Sequence, residues 1–249
     1  MDLPGVGENL QDHLFVSVAY ACTQPVTLAN AEAKRNIANY LLFKKGPLTS
    51  NVAEAGAFIK TDASLPAPDL QFHFGPVYYI NHGFTRPEGH GFTIGPTLIR
   101  PHSRGRITLC SSDPFTAPSI QPRYLESETD VQVLVQGVKL ACDLAQSKAF
   151  SAYRGRAVCG GLEVCGNDDI VDHIRKTAET IYHPVGTCKM GTDAMAVVDA
   201  GLRVRGLKNL RVVDASVMPQ IIGGNPNAAV IMIAEKAADL IKGENHAPL

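Results

Sequence analysis

The sequence predicts a chain of mixed α and β structure, and three observations predict it. Residues 69–75 (DLQFHFG) alternate apolar and polar side chains with the period of a strand. Over 128–150, Val131, Leu134, Val135, Val138, Ala141 and Ala145 recur with the period of a helix. Residues 207–241 read as a short strand, a glycine turn and a helix. At 249 residues, 45% hydrophobic and with a formal net charge of −1, the chain has ample material for a core. That near-neutral balance gives no case for nucleic acid or an anionic membrane as partner. No apolar run approaches the ~20 residues that span a bilayer, and the start MDLPGVGENLQDH is unlike a signal peptide. The cysteines at 22, 110, 142, 159, 165 and 188 contain no CxxC pair for zinc, and a chain of this size needs no disulfide staples. Reduced thiols are the reading, which favours the cytoplasm.

Taken in order, residues 1–14 are glycine-rich and loop-like, with Asn9 and Asp12 suited to tying a turn through their side chains. A strand at 14–21 leads to a helical stretch at 31–43, and Gly46-Pro47 punctuates the chain after it. Glu54 is either a pocket carboxylate suited to a cationic head such as a quaternary ammonium, or an exposed glutamate before a strand. In the strand at 69–75, Leu70, Phe72 and Phe74 share one face, with Gln71 and His73 on the other. His73 is then either a pocket residue on a sheet that roofs a cavity, or a surface histidine. Residues 76–91 form a long loop. Strands at 91–100 and 106–110, bridged by a turn at 103–105, are spaced as an antiparallel hairpin. The stripe on the helix at 128–150 reads as core. A glycine-rich connection at 151–166 leads to a helix capped by Asn167 or Asp168 and running to about 180, on which His173 has no identifiable partner.

At the C-terminal end, residues 210–213 read as a buried strand with Asp214 at its carboxyl end. Gly223-Gly224 turns into Asn225-Pro226, an N-cap residue followed by proline at the first helical position. Residues 228–233 are all apolar, so this helix is expected to start buried and end at the surface, with Gly243 as C-cap. Unpaired N–H groups at its N-terminus suit an anion. Together with Asp214 they suggest a bound polar cofactor; the alternative is that strand, turn and helix are packing alone.

Four stretches in order carry a family likeness: PGVGENLQDH at 4–13, RPHSRGRITL at 100–109, YHPVGTCKMG at 182–191, and VVDASVMP followed by GGNPNAAVIMIAEKAADLI. They resemble the glucose-methanol-choline (GMC) oxidoreductases, FAD enzymes that oxidise alcohols, and cover nearly the whole chain. The resemblance implies an antiparallel-sheet substrate-binding domain plus the C-terminal strand and helix of a Rossmann-like FAD domain. It divides the chain into a flavin-proximal remnant at 1–14, a substrate-binding domain at 15–182, and a catalytic loop with the end of the FAD domain at 183–249. The G-x-G-x-x-G fingerprint that the family carries near its N-terminus has no counterpart here. Gly5-Val6-Gly7-Glu8-Asn9-Leu10 lacks the third glycine and a preceding strand. The chain therefore looks like the C-terminal half of such an enzyme.

By the same likeness, His183 is the histidine nearest the flavin and accepts the alcohol proton, as an imidazole with pKa near ~6.5 can. The hydride goes to the flavin. Asn225 is the second catalytic residue, holding the substrate oxygen, or else only an N-cap. Asn9, or a mere loop cap at that position, neighbours the cofactor; Asp214 and Ala215 contact the FAD chain, and Asn227 and Ala228 its pyrimidine end. The implied reaction is oxidation of a primary alcohol to an aldehyde, closest to choline dehydrogenase-like members. Implied partners are the alcohol, the missing N-terminal half of the FAD domain, and an electron acceptor through which the protein is membrane-associated or not. Two competing readings are a hydroxynitrile lyase on the same fold and an inactive fragment that binds FAD poorly and exposes apolar surface.

Overall fold

The computed structural model describes residues 2–159 and 167–243. The chain separates into two compact units. One gathers the residues up to His13, Ile99–Ser127 and the residues from Thr180 on; the other holds Leu14–Leu98 and Glu128–Glu179. The sequence-based division had kept 99–127 with the middle of the chain; here that segment joins the two ends.

The middle unit is built on an antiparallel sheet. Strands β1 (Leu14–Phe15), β2 (Val18–Cys22), β3 (Ala55–Ile59), β4 (Leu70–Gly75) and β5 (Gly91–Leu98) form it, in the path β3-β4-β5-β1. Strand β2 pairs with β5 and, on its other edge, with β8 (Arg154–Cys159). Strand β5 is buried along its whole length. It contains Pro96, which has no N–H to give a ladder; that residue falls where the partner on one side changes from β2 at Ile94 to β1 at Thr97. The helix α2 (Glu128–Gln146) lies against β5 and buries the expected stripe of Val131, Leu134, Val135, Val138, Ala141 and Ala145. Gly137 lies within the same buried face, and a Cβ there would come within 2.7 Å of Pro96 Cβ. The glycine weakens the helix but lets it close on the sheet.

Two expectations are corrected. The strands at 91–100 and 106–110 are not a hairpin. Strand β6 (Arg106–Thr108) pairs instead with β7 (Ser119–Gln121), while Gly105 exchanges backbone hydrogen bonds with Leu10 at 2.8 and 2.9 Å. The backbone groups a hairpin would have used are already committed. Within the connection at 151–166, residues 154–159 form β8, because the open edge of β2 takes their amides whatever their glycine content. Of that connection, residues 160–166, including Cys165, lie outside the described residues, as do the side chains of Asn167 and Asp168 that begin α3 (Asn167–Thr177). His173 does have partners: its Nε2 meets the Ser17 carbonyl and the Thr177 hydroxyl, each at 3.3 Å.

In the other unit a core of Val185, Val197, Val198, Leu202, Val204, Val217, Met218, Ile221, Ile233 and Ala237 gathers the C-terminal third. Residues 210–213 do not form a buried strand. Leu210 is 49% exposed, and the pairing is limited to one antiparallel bridge of Arg203 with Arg211, closed by the Val212 amide on the Leu202 carbonyl and the Val204 amide on the Leu210 carbonyl. The last helix, α4 (Asn227–Lys242), ends as expected at Gly243 in the left-handed region. Its start departs from expectation twice. Pro226 rather than Asn225 is the cap, with no side-chain cap bond, and the first turn is open rather than buried. Ile233 and Ala237 face the core, but Ile231 and Met232 are 54% and 59% exposed. A helix apolar on every side needs cover on every side, and these residues supply one. Among the described residues no helix is long and apolar enough to cross a membrane, no disulfide forms, and no cluster of metal-ligating side chains occurs.

Candidate active site

Residues 9–13 are the strut on which the site is assembled. Gln11 exchanges backbone hydrogen bonds with Val185 at 3.0 and 2.9 Å, which lays the His183-Pro184-Val185-Gly186 turn alongside it. The Gln11 side chain accepts from the Ile221 amide at 3.1 Å and donates to the Pro219 carbonyl at 3.2 Å. Asn9, in the left-handed region with φ 65°, donates to the Gly186 and Pro219 carbonyls. Three segments distant in sequence are thereby clamped together. Gly186 is a requirement of this clamp. Its φ is 98°, and a Cβ would lie 2.3 Å from the Asn9 carbonyl oxygen.

Asp12 then does what its neighbours cannot. Its carboxylate accepts from the amides of His13 at 2.8 Å and His183 at 2.9 Å through Oδ1, and from the hydroxyls of Tyr124 at 2.6 Å and Thr180 at 2.5 Å through Oδ2. Tyr182, immediately before His183, sits at φ 65°, a strained setting for a bulky residue. The Tyr182 amide on Thr180 Oγ1 and the His183 amide on Asp12 hold it there.

The two histidines meet ring to ring. His13 Nδ1 lies 3.0 Å from His183 Nδ1, with the rings nearly perpendicular at 83°. His13 Nε2 lies 3.1 Å from the Ile222 carbonyl oxygen. Burial, and next the nearby His183, push the pKa of His13 down to about 4, against the opposing pull of Asp12 and the carbonyls of Ile222 and Ile99. Burial also lowers that of His183, with Asp12 opposing. The Tyr124 hydroxyl is pushed up, by burial first and then by its bond to Asp12, and stays protonated. Among the described residues His183 Nε2 makes no hydrogen bond. The arrangement presents one half-buried, uncharged imidazole nitrogen for a proton.

Beyond Ile222 the chain turns through Gly223, over which the Arg100 guanidinium packs so closely that a Cβ would sit 2.8 Å from Nη2. Asn225 is exposed in this turn, on the approach to α4. The first backbone bond inside α4 runs from the Val230 amide to the Pro226 carbonyl, so the amides of Asn227, Ala228 and Ala229 are not taken up by the helix. Asp214 is exposed and caps a short 3₁₀ turn by accepting from the Ser216 amide and hydroxyl; Ala215, in that turn, packs against the core. Of the sequence-selected residues, Asn9, His183, Asp214, Ala215, Asn225, Asn227 and Ala228 therefore share one unit. Glu54 and His73 belong to the other. Glu54 is exposed and accepts from the Ser50 hydroxyl at 2.6 Å; His73, on β4, meets Thr97 Oγ1 at 3.1 Å. Sequence reasoning missed His13 and Gln11 as site residues. The signal for His13 was a histidine directly before the apolar run Leu14-Phe15-Val16, which had to be buried with it.

Residues 101–234 match the C-terminal family model of the GMC oxidoreductases. The chain belongs to the GMC oxidoreductase family. This GMC chain is 44% identical over 245 residues to an alcohol dehydrogenase [acceptor] of Pseudomonas putida, covering 96% of the chain and 44% of that protein. It is 45% identical over 251 residues to an oxygen-dependent choline dehydrogenase of Pseudomonas savastanoi, covering 99% of the chain and 44% of the relative. The chain thus spans less than half the length of the curated relatives it matches. Among solved structures it is similar to a formate oxidase of Aspergillus oryzae described for the modification of its FAD, with TM-score 0.89, 25% identity, and coverage of 98% of the chain and 48% of that protein. It is likewise similar to a pyridoxine 4-oxidase of Mesorbium loti, with TM-score 0.83, 28% identity, and coverage of 99% and 45%. GMC oxidoreductases are FAD flavoproteins, and the residues present fit such a group. The first turn of α4 begins exposed, its cap Pro226 has no side-chain cap bond, the amides of Asn227 to Ala229 make no backbone bond, and a Cβ at Gly224 would meet nothing within 4 Å. That is a cradle for negative charge.

Proposed function

We propose that these residues form the substrate side of the active site of an FAD-dependent enzyme that oxidises a primary alcohol to an aldehyde. The observation that carries this is the uncharged His183 ring, gripped from behind by His13 and Asp12, with Nε2 left for a substrate hydroxyl. Bound FAD supplies the acceptor for the hydride leaving the alcohol carbon. His183 takes the hydroxyl proton, and its lowered pKa keeps it unprotonated before reaction. Once it is charged, Asp12 stabilises the imidazolium. Asn225 orients the substrate oxygen. When bound, FAD would be held by Asn227 and Ala228 at its pyrimidine end and by Asp214 and Ala215 along its chain, with Asn9 bracing the turn at Gly186.

The relatives named as dehydrogenases favour oxidation of an alcohol over a lyase reaction. Because these 249 residues contain no G-x-G-x-x-G fingerprint, the phosphate-binding part of the cofactor site is contributed by other residues, and an electron acceptor completes turnover. The test is the visible spectrum of the purified chain after adding FAD and desalting. Little retained flavin is expected from these residues alone. Flavin retained and bleached by a primary alcohol only when the dinucleotide-binding half is co-expressed supports the proposal. Retained flavin that no alcohol bleaches in that complex overturns it.

A further inference from the structure

We propose that His13 is the positioning residue of His183: it donates Nε2–H to the Ile222 carbonyl and accepts Nδ1–H of His183 at its own Nδ1. His183 is thereby locked in the tautomer whose Nε2 lone pair meets the substrate. The inference rests on the reading of His183 as proton acceptor and follows from counting protons along one chain of contacts. A carbonyl oxygen can only accept, so the 3.1 Å contact to Ile222 requires the hydrogen on His13 Nε2. His13 is fully buried, and a neutral imidazole carries one proton, so its Nδ1 has a lone pair. That lone pair lies 3.0 Å from His183 Nδ1, and two lone pairs at that distance repel. The hydrogen between the rings therefore belongs to His183 Nδ1, which leaves Nε2 of a neutral His183 unprotonated.

The backbone makes the lock stiff. Asp12 holds the amides of both histidines on one carboxylate oxygen, which fixes the two backbones beside each other. The charged and titratable groups facing the pair are Asp12 and Tyr124, and the latter keeps its proton on Asp12. When His183 accepts a substrate proton at Nε2, it keeps its Nδ1–H on His13, and only one ring becomes charged. An orienting group behind a catalytic imidazole is a general device, in which the wrong tautomer lowers activity by orders of magnitude while the geometry persists. Here an uncharged ring fills that place.

The experiment is long-range ¹H–¹⁵N correlation NMR on the 249-residue chain with ¹⁵N-labelled histidine at neutral pH. The signals are assigned by the single variants His13→Asn and His183→Gln. The expected result is the Nε2–H form for His13 and the Nδ1–H form for His183. His13→Asn keeps an acceptor oxygen near the Nδ1 position and should leave His183 as Nδ1–H. His13→Leu removes the acceptor and should shift His183 toward Nε2–H. An Nε2–H signal for His183 in the unmodified chain overturns the proposal, whether or not His13→Leu folds. So does a folded His13→Leu chain whose His183 tautomer is unchanged. Neither readout needs flavin or turnover. A correct tautomer in a complex that no alcohol reduces would therefore sink the alcohol-oxidation reading and leave this one standing.

Discussion

A buried imidazole with no charge is a liability in acid, and His13 is one. In the unfolded chain it titrates near ~6.5; in the folded chain, burial and its neighbour His183 hold it at about 4. Between those values the unfolded state binds a proton that the native state refuses, so stability rises with pH across the window. It is lost as pH falls from about 6.5 toward 4, and the full shift corresponds to on the order of 3 kcal/mol. Urea unfolding of the native chain should therefore weaken more steeply between pH 6.5 and 4.5 than that of His13→Asn, which has nothing to protonate. Parallel curves would mean that His13 charges without resistance. His183 could be selected as a candidate because its motif and the proline after it stood out locally. His13 was not: its partners lie 170 and 209 residues away, and a lone histidine at the end of a loop motif carries no mark of them.

Elements were legible where their pattern answers to burial within the chain, and illegible where a partner decides. The α2 stripe came through residue for residue, because a 3.6-residue period buries one face whatever the neighbour is. Strand β8 and the pairing of β6 did not, since which strand offers a free edge is a property of topology. The contact of α2 with β5 also depends on one atom's absence. Gly137→Ala removes the flexibility of glycine in a helix, a gain of about 1 kcal/mol. Against it stands a Cβ only 2.7 Å from the rigid Pro96 Cβ. Overpacking of that kind costs roughly 1–3 kcal/mol, so Gly137→Ala should be destabilising in chemical denaturation. A stabilised Gly137→Ala chain would mean that the helix stands off the sheet.

At the scale of the molecule, the C-terminal unit has a core and also an unsatisfied surface. Ile231, Met232 and Ile241 of α4 are more than half exposed, and Leu207 and Leu210 nearly so. Exposed apolar side chains of this number on one unit favour association. The double variant Ile231→Lys, Met232→Glu should lower self-association of the 249-residue chain in light scattering. Because both side chains are exposed, each change should move stability by less than about 0.5 kcal/mol. Unchanged association would place the sticky surface elsewhere. In co-expression with a dinucleotide-binding half, the same variant should lose the complex if that half covers α4.

By itself the sequence determined the family, through four ordered motifs, and the elements whose periodicity is local: α2, β4, the Gly243 cap and the candidate base His183. The meeting of residues 9–13 with 183–186 and 219–222 was decided only in three dimensions, as were the carboxylate that joins two histidine amides and the proton order along the pair. The physical reason is range. Propensity and period act over one or two turns, whereas a buried polar group is satisfied by whichever donor or acceptor the fold brings to it.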